Sequence, residues 1–282
     1  MNILHINHFG YPDYLNDMLY HGGRGLFGEG YQSSSAAAYM WEENAHQKSS
    51  LYGKGFTLYC RVKRPLIQDS PDQIRQKIAD RAYDCILFGS VYRCLDLVEH
   101  VLKAYPGNRI AFIDGEDHPH VIWPLVTRGT YFKRELVHDV PQVHPIGFSI
   151  PKELFIGRPA KTKLMATVVP GDQATYVFDD EDAYHADYAS SYFGHTCRKG
   201  GWDCLRHYEI VANWCMPMFK DLDACPHRTM VSFPKAEILE YNRSHGAVVS
   251  DGYWASMERI HSHAKDHCTT EAALRKVLER LF

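Results

Sequence analysis

The chain has 282 residues and a net charge of −3, so it carries no global basic field of the kind that recruits nucleic acid by bulk charge. Apolar residues make up 45% and charged residues 23%, which excludes a disordered chain and fits one large domain or two of ordinary size. The eight cysteines (60, 85, 94, 197, 204, 215, 225 and 268) show no CxxC spacing, and several lie in apolar runs. Buried reduced thiols in a cytosolic protein are therefore expected. The opening MNILHINHFG is too short and too polar for a signal peptide, and no stretch is long enough to span a bilayer. A soluble, cytoplasmic chain is the expectation.

Taken in order, NILHIN predicts a first strand and FTLYCRV (56–62) a second. SPDQIRQKIADRA carries a helix start: Ser70 as cap, Pro71 at the first position and Gln73 reaching back, with Ile74, Ile78 and Ala82 on one face. CILFGS (85–90) predicts a strand, VYRCLDLVEHVLKAY (91–105) an amphipathic helix, and RIAFIDG (109–115) another strand after the Pro106-Gly107 stop. Strands alternating with helices of this length argue for a parallel sheet, with ligands at the carboxyl ends of its strands. The proline-punctuated PQVHPIGFSIPKELFIGRPAK reads either as an interdomain linker or as an ordered crossover. Beyond it, KLMATVVPG, CMPMF and TMVSF predict strands, while GWDCLRHYEIVAN, KAEILEYNRS and 253–281 predict helices. The expected layout is a first α/β unit over 1–155 and a second over 156–282.

The densest chemistry lies in SYFGHTCRKGGWDCLRHYEIVANWCMP (191–217). Advancing about 100° per residue from Trp202 gathers Cys204, Leu205, Tyr208, Val211, Ala212 and Cys215 on one side. Asp203, Arg206, Glu209 and Asn213 gather on the other, either as a solvated face or as a binding face. Gly200-Gly201 lets backbone approach a ligand and opens a helix N-terminus to an anion. Thr196 supplies a hydroxyl, Arg198, Lys199 and Arg206 supply positive charge for a diphosphate, and Glu209 suits the vicinal hydroxyls of a ribose. The alternative is a basic loop capping an ordinary surface helix.

In the first half, PDYLNDMLYHGGRG places Asp13, Asp17 and His21 at successive i,i+4 positions. Asp17 or His21 is the candidate general base, and Asp13 is either an acceptor-side group or the helix cap. Solvated residues on one helix face are the alternative. In DGEDHPH (114–120), Glu116, Asp117 and His118 could meet an acceptor sugar or a metal, and no dedicated metal is expected. In YFKREL (131–136), Lys133 and Arg134 are either anion contacts or ion-pair partners of Glu135 and its neighbours. FDDEDAYHADY (178–188) reads as a solvated acidic loop rather than a DxD metal motif. His263 and His267 have ligand spacing but no third ligand, so an exposed histidine face is expected.

RHYEIVANWCMP resembles the donor-site helix of GT-B glycosyltransferases. More narrowly, PDYLNDMLYHGGRGLFG, LYGKGFTLYCRV, YFKREL and the run from Ser191 to Lys235 together resemble a bacterial and viral group of GT-B-like enzymes. The resemblance implies two Rossmann-like units facing across a cleft. It implies a nucleotide-sugar co-substrate (a UDP-sugar), with no other cofactor. Glu209 would hold the ribose, with Arg198, Lys199 and Arg206 near the diphosphate. The acceptor would be a glycan or other hydroxyl compound, with a hydroxymethylated base in phage DNA, or a non-catalytic binding module of the same fold, as alternatives. The chain departs from the pattern at Trp214, where a glycine is usual, and at Gly201, where retaining enzymes carry a glutamate. The scattered Arg61, Lys63, Arg64, Arg75, Lys77, Lys133 and Arg134 are suggestive of DNA but form no basic cluster.

Overall fold

The computed structural model describes residues 1–282 apart from Phe9 and Tyr11. The N-terminal unit is built on six parallel strands: β1 (Ile3–Ile6), β2 (Tyr31–Ser33), β3 (Cys85–Phe88), β4 (Ile110–Asp114), β5 (Thr130–Lys133) and β6 (Val143–Pro145), in the order β2-β1-β3-β4-β5-β6. Strands β1, β3 and β4 are buried along their whole length, as continuous apolar runs covered on both faces must be. Alternate residues divide between two cores. Ile3, Leu87, Ala111 and Ile113 face α1 (Tyr14–Phe27), whereas Leu4, Ile86, Ile110 and Phe112 face α2 (Pro71–Ala79) and α3 (Val98–Ala104). A short α4 (Trp123–Val126) lies on the second face beside β5.

The expected capping box holds: the Gln73 amide donates to Ser70 Oγ at 3.3 Å, and the Ser70 amide donates to Gln73 Oε1 at 2.8 Å. The helix expected over 91–105 is shorter, because only Val98–Ala104 is helical. FTLYCRV is not a strand. Thr57 and Cys60 sit at φ values of 76° and 58°, and among the described residues the run makes an isolated bridge, from Val62 to Trp41, and no ladder. Its Leu58 and Tyr59 are buried as an irregular segment packed on α1's core.

The C-terminal unit has a three-stranded parallel sheet, β7 (Lys163–Met165), β8 (Ser191–Thr196) and β9 (Met216–Phe219), with β8 central. Around it lie α5 (Glu181–Ala189), α6 (Leu205–Ala212), α7 (Lys235–His245) and α8 (Tyr253–His267). TMVSF is a turn with Met230 at φ 53°, not a strand, and the acidic run 178–188 is largely helix α5, capped by Asp180. Between the sheets the chain is an ordered crossover rather than a loose linker. Its Phe148 amide donates to Asp203, Ile150 pairs with Thr269, and the Ile156 amide donates to the Ala212 carbonyl. The last helix, α9 (Thr270–Leu278), returns to the N-terminal unit and packs along α1. Gly22 makes that approach feasible, since a Cβ there would stand 2.3 Å from the Thr270 carbonyl oxygen. One apolar core consequently runs from Ile3 through Phe193 to Leu281.

Candidate functional site

The first sheet reverses its winding between β1 and β3, so the loops leaving those strands diverge and open a crevice at their carboxyl ends. Asp13, which follows β1, caps α1, accepting from the Asn16 amide at 3.4 Å. Arg93, which follows β3, reaches Asp13 at 2.7 Å and Glu116, after β4, at 3.0 Å. The C-terminal unit faces this crevice with Lys199, Gly200, Gly201 and Cys204. The resulting cavity of about 360 Å³ joins a neighbour of about 400 Å³ through shared walls at Tyr14, Tyr52, Lys199, Cys204 and Leu205. Together they form one cleft between the units.

The larger part of the cleft holds the chemistry of α6. Its polar side is not a solvated face: Glu209 is 6% exposed and Asn213 1%. The Glu209 carboxylate lines the cavity, accepting from Tyr184 Oη at 2.6 Å on one oxygen and from the Thr57 hydroxyl on the other. Arg206, one turn earlier on the same face, lines the same wall, and its Nε and Nη1 are buried without a protein partner. Such N–H groups call for an acceptor from elsewhere. Lys199 overhangs both parts of the cleft, with Nζ 3.4 Å from Tyr176 Oη. The remaining walls are aromatic: Tyr52 and Phe56 from the N-terminal unit meet Tyr176, Phe178 and Tyr184 from the C-terminal one, with Phe56 stacked on Tyr184 at 5.4 Å.

Several residues singled out in the sequence lie elsewhere or are already engaged by protein groups. Thr196 is buried and bonds His207 Nδ1 at 2.8 Å, bracing β8 against α6; burial lowers the His207 pKa to about 3. Arg198 is exposed, stacked over Trp202 at 5.1 Å, and does not line the cleft. Asn213 caps the far end of α6 and bonds the Glu209 carbonyl and His185. Gly200 and Gly201 do permit close approach, but to carboxylates: a Cβ would fall 2.4 Å from Asp117 and 2.5 Å from Glu135. Glu135 also takes the Trp202 and Asp203 amides, so those N–H groups are not offered to a phosphate.

The candidate bases separate as well. His21 faces α9, with Nδ1 2.9 Å from Thr270 Oγ1 and Nε2 3.6 Å from Glu153, and it borders a different concavity. Asp17 is fully buried one turn below Asp13. It accepts from the Asp13 amide at 2.8 Å, Asn16 Nδ2 at 3.1 Å and Tyr39 Oη at 2.7 Å. Burial, aided by the Asp13 charge, raises its pKa to about 7. Asp13, Glu116 and Asp117 do line the cleft. Lys133 and Arg134 are ion-pair partners: Lys133, fully buried, meets Asp114 at 2.7 Å, and Arg134, which lines the smaller part of the cleft, pairs with Asp117 and Glu135. Glu181, in the run read as a solvated loop, is buried against Lys48 and Arg61. Trp214 stands at φ 56°, a geometry glycine would adopt at less cost. Its ring stacks on His261 at 4.4 Å and does not enter the cleft.

Sequence reasoning missed the aromatic walls, whose rings come from positions more than 100 residues apart. The aromatic-glycine run YGKGF was a usable signal, because Gly53 and Gly55 take φ 61° and 70° to present Tyr52 and Phe56. All eight cysteines are unpaired, and among the described residues no three His, Cys, Asp or Glu side chains gather as a metal ion would need. No helix among the described residues is long and apolar enough to cross a membrane. No protein-family model matches the chain, and no curated protein matches it.

Proposed function

We propose that the protein is a nucleotide-sugar-dependent glycosyltransferase of GT-B type, with the nucleoside diphosphate bound in the larger part of the cleft and a hydroxyl acceptor in the smaller part. The observation that carries this reading is Arg206: two buried N–H groups without a partner, in a cavity whose wall also presents the Glu209 carboxylate. Guanidinium and ammonium groups suit a diphosphate, a carboxylate suits a vicinal diol, and facing aromatic rings suit a planar base.

In this reading the acceptor oxygen attacks the anomeric carbon as the bond from that carbon to the diphosphate oxygen breaks. The electron pair leaves on the diphosphate, towards Arg206 and Lys199. Asp13, at the mouth of the crevice, replaces Asp17 and His21 as the group that receives the acceptor proton. The carboxylates Asp13, Glu116 and Asp117 on the acceptor side favour a polyhydroxyl acceptor over polyanionic DNA. The ion pair from Arg93 to Asp13 favours a second reading, a binding module without turnover.

Incubation with UDP-, GDP- and ADP-sugars decides between them. A transferase releases nucleoside diphosphate, slowly to water and faster with an acceptor, and Glu209→Ala abolishes donor binding in calorimetry. Binding without release supports the module, and no binding to any of the three overturns both.

A further inference from the structure

We infer that Thr57, on the N-terminal unit, is a positioning residue for the Glu209 carboxylate, so that the pentose subsite is completed across the cleft by a side chain from the opposite unit. The inference rests on the nucleotide reading of the cleft. Glu209 and Tyr184 line the cavity; Thr57 does not, and it is fully buried, so its hydroxyl reaches Glu209 Oε1 from behind. Tyr184 Oη holds Oε2 at 2.6 Å. An ionised carboxylate offers four lone-pair directions, and these two hydroxyls take one on each oxygen. Each oxygen keeps a further acceptor direction, and as Glu209 lines the cavity, the carboxylate suits the two hydroxyls of a ribose.

The backbone at Thr57 fits this role. A β-branched residue at φ 76° is strained, and such a conformation persists only where its surroundings overdetermine it. Here they do. The Thr57 amide donates to Glu181 Oε1 at 2.5 Å, Arg61 meets the same oxygen at 2.7 Å, and Lys48 pairs with the other. Lys54, three residues earlier, donates to the Phe178 carbonyl at 2.6 Å. The segment is thereby clamped to α5, and the clamp brings the Thr57 hydroxyl onto Glu209. Glycine or asparagine would accept this backbone at less cost, but neither would place a hydroxyl there.

Calorimetric titration of the full chain with UDP and with 2′-deoxy-UDP tests the assignment. Thr57→Val keeps the side-chain shape and removes the donor, and is expected to weaken UDP binding about tenfold. Thr57→Ser keeps the donor and is expected to bind within about twofold of the parent. The loss caused by Thr57→Val should shrink for 2′-deoxy-UDP, which lacks one of the hydroxyls that Glu209 is positioned to receive. Should Thr57→Val not fold, Thr57→Ala, which relieves the β-branching, carries the same expectation. Parental UDP affinity in Thr57→Val or Thr57→Ala overturns the inference alone, as does an equal loss for both nucleotides. A parent chain that binds none of UDP, GDP and ADP overturns the nucleotide reading and this inference with it.

Discussion

Glu135 accepts the main-chain N–H of Asp203 at 3.1 Å, and a second bond, from Trp202 at 3.0 Å, fixes the same loop. A carboxylate of the N-terminal unit thus fills amides that an anion could otherwise have used. Arg134 compensates its charge at 2.8 Å and donates to the Asp203 carbonyl at 3.0 Å, so the cluster ties the two units together at the wall of the cleft. Arg134→Met leaves buried Glu135 without its cation and is expected to cost about 3–5 kcal/mol. Urea unfolding measures the difference, and an unchanged midpoint would show that the cluster contributes nothing to stability.

Arg206 should behave in the opposite way. Two of its N–H groups are buried without a protein partner, so Arg206→Gln breaks no hydrogen bond at those atoms, although it removes the charge beside Glu209 and the contact over Tyr176. Its stability is expected to fall by less than that of Arg134→Met, because the relief of two unpaired buried N–H groups offsets the charge lost beside Glu209. Its affinity for UDP should fall by about tenfold or more, because a charge-assisted contact to phosphate is lost. Calorimetry and thermal unfolding on the same sample check both halves.

These two arginines show what could be read from the sequence. Arg206, Glu209 and Lys199 share one local segment, and helical spacing placed the first two on one face, where the structure has them. The first sheet was legible through the apolar runs of β1, β3 and β4, and α2 through its Ser70 cap. Strand β8 was not, because Ser191, Gly194, His195 and Thr196 dilute its apolar pattern, although pairing with both β7 and β9 makes it the central strand of its sheet. FTLYCRV misled for the converse reason: its Leu58, Tyr59 and Val62 are buried, but in a segment whose φ angles at Thr57 and Cys60 forbid a ladder. The pairing of Arg134 with adjacent Glu135 was one of the two readings of YFKREL, whereas its bonds to Asp117 and Asp203, and the occupation of the Gly-Gly loop by Glu135, depend on contacts between distant segments that no local pattern encodes.

The placement of the acidic groups on α1 separates two roles. Asp13 lines the cleft, and Asp17 lies beneath it without access. Asp13→Asn is therefore expected to lower turnover by about 10²–10⁴ with UDP affinity preserved. Asp17→Asn should keep turnover within several-fold of the parent. Steady-state release of nucleoside diphosphate from the donor distinguishes them, and a larger loss in Asp17→Asn would return the base to that residue.

Gly22 tests the return of α9. An added Cβ would stand 2.3 Å from the Thr270 carbonyl oxygen and 2.6 Å from its carbon, both main-chain atoms that cannot rotate aside. Gly22→Ala must push the helices apart, although alanine favours the helix itself. A net loss of about 1–3 kcal/mol is expected. Hydrogen exchange should show it first at α9, and a stabilised variant would mean that the helices are not held at this spacing.

The pH dependence of stability isolates Asp17. Burial raises its pKa from 3.8 to about 7, so between those values the unfolded chain has released a proton that the native state retains. The contribution of Asp17 is complete below pH 4 and is lost as pH rises towards 7. Asp203, raised from 3.8 to about 6 by burial, acts in the same direction. His5 and His207 oppose them. Burial lowers both from 6.5 to about 3, so their contribution is complete above pH 6.5 and is lost as pH falls. The parent curve therefore sums opposing slopes, and the informative quantity is its difference from Asp17→Asn. That difference, measured by urea unfolding at pH 4, 5, 6 and 7, is expected to shift steadily in favour of the variant as pH rises. A difference independent of pH would show that Asp17 titrates in the native protein as it does in the unfolded chain.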